Sequence, residues 1–167
     1  MKRLLFMAAL TLASTVHAHT QASRVDRIEI VEYGIFQRQV RSRAADPNSP
    51  GGEALTVGSV RLIQSTTTIP ARIGTAFGFR YRVIGQPAGS QVALKIVSHF
   101  PPPGFVNSTT KQMQLRYEQS VTKLIGDVVY TGWVLDEPSD LIAGKWIIEI
   151  WYGNRKLVEQ HFTAVKP

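Results

Sequence analysis

The sequence predicts an all-β fold, an antiparallel sandwich of about seven to nine strands. Three observations carry that expectation. Apolar residues recur at every second position along most of the chain, no segment keeps a 3.6-residue apolar stripe over a helical length, and Gly, Pro, Asn and Asp punctuate the chain roughly every ten residues. The 167 residues are 44% hydrophobic and 19% charged and include no Cys. A chain of that size buries about two thirds of its unfolded surface, so it holds a core without disulfides or metal.

Residues 24–36 alternate, with Ile28 and Ile30 on one side of Glu29, and form the first strand. Residues 46–52, Asp-Pro-Asn-Ser-Pro-Gly-Gly, are the strongest turn cluster in the chain. Residues 57–68 are β-rich and Pro70 closes them. Over residues 75–84, Phe77, Phe79, Tyr81 and Val83 point one way and Arg80 and Arg82 the other. After a turn at residues 85–89, Val92, Leu94 and Ile96 alternate, until three prolines and Gly104 intervene. Residues 111–121 offer Met113, Leu115 and Tyr117 on one face, and a short helix satisfies that spacing as well. Residues 128–135 alternate around Trp133, and residues 145–152 carry Trp146, Ile148, Ile150 and Tyr152 on one face. Gly153-Asn154 then makes a hairpin with residues 157–165. Trp146 and Trp133 are placed to plug the core between layers. Tyr33, Tyr81 and Tyr152 are candidates for a hydroxyl bond to backbone at a sheet corner.

Residues 1–18 read as a secretory signal peptide: Lys2 and Arg3 are the charged start, an apolar run follows, and Val16-His17-Ala18 is a small-residue cleavage site. The apolar run is shorter than the ~20 residues that span a bilayer. The expectation is an exported, periplasmic protein comprising one domain over residues 19–167, with no transmembrane segment in the mature chain.

Charge is uneven. The formal net charge is +7, two of it from Lys2 and Arg3. Residues 54–117 contain seven basic side chains and no acid, whereas residues 118–167 are net acidic. Such an asymmetry suits a protein or anionic cell-envelope partner, with Arg72, Arg80 and Arg82 as the partner-binding candidates. No base-reading motif accompanies the charge, so nucleic acid is not expected.

Several short stretches also carry a resemblance. Glu32-Tyr33-Gly34-Ile35, Ile69-Pro70-Ala71-Arg72 followed by Gly74, Phe77-Gly78-Phe79-Arg80-Tyr81, Pro103-Gly104, and Gly144-Lys145-Trp146 with Glu149-Ile150 and Phe162 make residues 28–165 similar to a family of secreted bacterial domains known only as a domain of unknown function. The resemblance implies an immunoglobulin-like β-sandwich with no assigned activity, and it supplies no catalytic residue.

The chemistry scan returns absences. There is no Gly-x-Ser-x-Gly elbow, no His-Glu-x-x-His helix and no phosphate-binding glycine loop. Lacking Cys, the chain has no disulfide, thiolate nucleophile or Cys-based metal site. Asp136, Glu137 and Asp140 share a turn with Pro138 but lack the spacing and glycine of a calcium loop. One alternative has positive content: cleavage after Ala18 makes His19 the N-terminus, and its amine and imidazole with His99 or His161 form an all-nitrogen copper set. A hydrolase assembled across loops, with His99 or His161 as base, has no supporting motif. The reading is therefore a non-enzymatic periplasmic binding protein without a cofactor, with copper binding as its alternative.

Overall fold

The computed structural model describes residues 22–166 apart from 48, 50, 51, 108 and 109. The expected signal peptide over residues 1–18 and His19 lie outside the described residues. Strands dominate: β1 (Arg24–Ala45), β2 (Glu53–Gln64), β3 (Thr68–Pro70), β4 (Ala76–Gln86), β5 (Gln91–His99), β6 (Phe105–Val106), β7 (Met113–Gln114), β8 (Arg116–Leu124), β9 (Val128–Val134), β10 (Gly144–Tyr152) and β11 (Arg155–Val165). The one helical element described is a 3₁₀ turn over Pro138–Asp140.

Two sheets stack face to face. One runs β2-β1-β4-β9, the other β3-β11-β10-β5-β8, and β6 and β7 form a separate small hairpin. Pairing is antiparallel except for the short parallel pair of β3 and β11. The two main sheets together hold nine strands, in keeping with the periodicity; the β6–β7 hairpin is additional.

Alternation explains the core. Phe77, Phe79, Tyr81 and Val83 on β4 are fully buried, and Arg80 and Arg82 between them face outward. Opposite them lie Val92, Leu94 and Ile96 of β5 and Trp146, Ile148 and Ile150 of β10. At one end of the sandwich Trp146 packs edge-on against Phe77, Phe100 and Phe105, and Trp133 joins the same cluster. Both tryptophans thus close the space between layers, and each indole N–H is satisfied, Trp133 by Ser98 and Trp146 by the Ile142 carbonyl. Burying each such ring stabilises the fold by about 2–3 kcal/mol. Of the tyrosines considered for a corner bond, Tyr152 donates to the Ser23 carbonyl at 3.0 Å, while Tyr81 is buried with no hydroxyl partner among the described residues.

Three stretches depart from the sequence reading. The strand expected over residues 57–68 is divided: β2 starts at Glu53 and ends at Gln64, and Thr68 opens β3 in the other sheet. Met113 and Leu115 do not share a packed face with Tyr117: they are 50% and 53% exposed. The chain bends at Leu115 between β7 and β8, so the alternation does not run through. The first strand also does not end at Phe36. It continues to Ala45 and, with β2, forms a long two-stranded ribbon.

That ribbon shapes the flank of the molecule. β4 begins at Ala76, which pairs with Phe36, so β1 beyond Phe36 has only β2 as a neighbour. Register shifts at Ile35/Phe36, Gln39/Val40 and Val40/Ser42 bend it, as bulges do. The ribbon reaches across to the side where β8 and β9 end their respective sheets. Arg38 bonds Asp136 just beyond β9 at 2.9 Å, the Tyr117 hydroxyl on β8 bonds Asp46 at 3.0 Å, and the Asn107 amide donates to the Pro47 carbonyl at 3.2 Å.

Candidate binding groove

Between the ribbon and the β8–β9 flank lies a groove of about 790 Å³. Its walls come from three strands that present themselves differently. All seven residues of β9 line it, as do five consecutive residues of β2, Thr56–Val60, so both strands meet the groove edge-on. From β8 only Tyr117, Gln119, Val121 and Lys123 line it, the inward-facing alternate set. Ile96, Phe105 and Trp133 give it an apolar floor. This volume falls in the ordinary range of ligand-binding clefts.

The free edge of β9 can be read from the bonds at its ends. Leu135 N–H donates to the Thr75 carbonyl, and Val83 N–H donates to Asp127, so the odd-numbered positions direct their backbone groups to β4. In an antiparallel ladder the intervening residues direct theirs the other way. Val128, Tyr130, Gly132 and Val134 therefore turn their N–H and C=O groups toward the groove. Among the described residues no backbone hydrogen bond joins them to β2 or β8.

Close packing behind this edge is built on glycine. Gly34, Gly78 and Gly132 are directly opposite one another across β1, β4 and β9. A Cβ on Gly132 would sit 2.2 Å from the Phe77 carbonyl oxygen and 2.3 Å from the Tyr130 hydroxyl. The space it leaves lets Tyr130 lie over the sheet, donate to Phe77 and meet Phe36 edge-on. Burial pushes the Tyr130 phenol well above its usual range, the nearby Arg38 charge opposing, so it remains a neutral donor. Tyr117 is likewise raised, first by burial and then by its bond to the Asp46 carboxylate.

Charges around the groove compensate one another. Arg38 pairs with Asp136, Arg43 with Glu53 and Arg80 with Glu32, each at 2.9–3.0 Å. Lys123, at the end near the β8–β9 turn, has no ion pair among the described residues. Asp140 caps the far end, accepting from the backbone of Asp136 and Glu137. Its carboxyl is raised by burial, which outweighs those two bonds.

The residues selected from sequence are dispersed. Arg80 and Arg82 are neighbours on the outer face of β4, where Glu32 and Glu29 of β1 oppose them, Arg82 more loosely at 3.9 Å. Arg72 lies in the turn after β3, exposed and without an ion pair among the described residues. The acid-free run in sequence is thus met in space by acids of β1 and β8. His99 and His161 lie on the outer face of the other sheet, on either side of Ile147. His99 is 3.6 Å from Glu149, and His161 contacts Glu159. Burial would raise Glu149, but bonds from Trp151 and Lys156 and the proximity of His99 bring it below its usual value, while Lys156 and His161 hold Glu159 down to about 2. Among the described residues no set of three or more His, Asp or Glu is disposed to hold a metal ion. No described helix is long and apolar enough to cross a membrane.

Neither the ribbon nor the β9 edge was visible from sequence. The one local signal is Gly132, whose place inside a strand marks a close approach.

Two opposed sheets around an aromatic core define an immunoglobulin-like β-sandwich. An immunoglobulin-like protein of Pseudomonas aeruginosa, known from its crystal structure, superposes with a TM-score of 0.56 at 26% identity, covering 89% of this chain and 100% of that one. The chain belongs to the family described as Domain of unknown function (DUF3859), whose profile matches residues 24–164. No curated protein sequence matches it.

Proposed function

We propose that this chain is an exported, non-enzymatic binding module of the periplasm that holds a segment of a macromolecular partner in the groove beneath the β1–β2 ribbon. The observation that carries the reading is the groove itself: a cleft with an apolar floor, walled by two strand edges, in a chain whose sequence shows no catalytic motif. The signal-like pattern of residues 1–18 supports export. Because Arg38, Arg43 and Arg80 are each matched by a carboxylate, the groove favours a partner segment of low net charge over an anionic one.

A photo-crosslinking residue at Thr56, exposed at the groove wall, tests this in cells, with Thr163 on the opposite sheet as control. The expected result is a defined envelope product from position 56 alone, found in the periplasmic fraction and retained when Arg72→Glu and Arg82→Glu are added. Equal products from both positions would defeat the reading. Loss on adding the two glutamates would transfer the contact to the basic surface.

A further inference from the structure

We infer that the groove accepts an extended polypeptide segment of the partner as an added strand along β9. This inference rests on the binding reading above and names what is bound. Four residues, Val128, Tyr130, Gly132 and Val134, each offer a donor and an acceptor to the groove, and none is taken up by a neighbouring strand among the described residues. Such a row is a template for an incoming chain. Proteins usually blunt it with charge, yet these four side chains carry none.

The lining agrees. An added strand turns alternate side chains to opposite faces. One set meets Trp133, Thr131, Phe105, Ile96 and Val121, which suit aliphatic residues; the other meets Tyr130 and the ribbon. β2, the other edge of the same sheet, stands across the groove, also edge-on. A segment seated between them lies between the two ends of one sheet. Over the seven residues of β9 it extends about 23 Å. The occupant is thus an uncharged stretch with aliphatic residues at every second position.

The test uses the full chain and a peptide alternating valine and threonine, acetylated and amidated at its ends. Added in excess, it should slow amide hydrogen exchange at Val128, Tyr130, Gly132 and Val134 and leave Ser120 and Thr122 on β8 unchanged. N-methylation of alternate peptide amides, which removes its donors without removing side chains, should weaken binding about tenfold for each bond lost. Val134→Pro deletes one groove-facing N–H and leaves the β4 ladder intact, so it should weaken the peptide while melting like the parent. Should that variant fail to fold, the N-methylated peptide still decides the matter. Unchanged exchange at the four amides, or binding indifferent to N-methylation, overturns strand addition. If the peptide protects the four amides but position 56 crosslinks to no envelope polypeptide, strand addition stands and the cellular reading fails. Protection that rises with protein concentration and without peptide, together with dimer in sedimentation, overturns the partner in favour of a second copy.

Discussion

β8 and β9 are the last strands of their sheets and are joined by a three-residue turn, yet they manage their free edges in opposite ways. β8 alternates exposed and half-buried positions, and its exposed members include Arg116 and Glu118, with Lys95 of β5 beside them. Solvated charge along an edge discourages pairing. β9 has no charged residue, every position is half-buried, and the bent ribbon stands over it. One edge is protected by its own side chains and the other by a separate element. The bonds of Arg38, Tyr117 and Asn107 hold that element against the flank.

The largest expected effect breaks β9 from behind. Gly132→Val places a side chain against the Phe77 carbonyl, which is backbone and cannot yield, and displaces Tyr130. Chemical denaturation should show a loss of about 2–4 kcal/mol. Ser120→Val on β8, exposed and opposite Lys95, should change stability by less than about 0.5 kcal/mol. A comparable loss at both positions would mean that the two edges are equally packed.

Next comes the ribbon. Tyr117→Phe removes the bond to Asp46 and should cost about 1 kcal/mol. Arg38→Ala removes a pair whose arginine is only 12% exposed and should cost a similar amount. Both should speed amide exchange over residues 37–45 and 53–60 and, by uncovering β9, raise self-association in sedimentation. Glu118→Gln, which discharges part of the β8 edge, should change stability by only a few tenths of a kcal/mol, since the Arg116–Glu118 pair is solvated. Faster exchange in the ribbon without self-association would show that β9 is protected by something other than this cover.

Much of this architecture was legible in the alternation. The inward set of β4 and the Trp146 face of β10 follow from side-chain period, because each of those strands has one buried face, and Gly153-Asn154 marks the β10–β11 hairpin. The ribbon was not legible. Beyond Phe36 the sequence Gln-Arg-Gln-Val-Arg-Ser-Arg carries almost no apolar residue, and β1 persists there only because β2 bonds to it. A two-stranded arm with little to bury leaves no hydrophobic period to read. The surroundings of the arginines were not legible for a related reason: composition counts charge along the chain, but strand pairing sets Glu29 and Glu32 beside Arg82 and Arg80. An edge is hidden more deeply still, since which backbone groups lack partners is a property of the sheet order and not of any residue.

The smallest effect concerns the acid that closes the β9 end of the groove. Burial raises the Asp140 carboxyl above its ordinary value of 3.8, against the two backbone N–H groups it accepts. The folded state therefore favours the neutral form. That contribution is complete below the unfolded value and is lost as pH rises through the folded one. Asp140→Asn keeps an oxygen for both N–H groups and cannot ionise. Urea midpoints of variant and parent should coincide near pH 3, where both side chains are neutral, and separate in favour of the variant by about pH 7. A variant less stable at neutral pH would mean that the two N–H bonds prefer the charged carboxylate by more than burial opposes it. The end of the groove would then resemble the solvated β8 edge rather than the covered one.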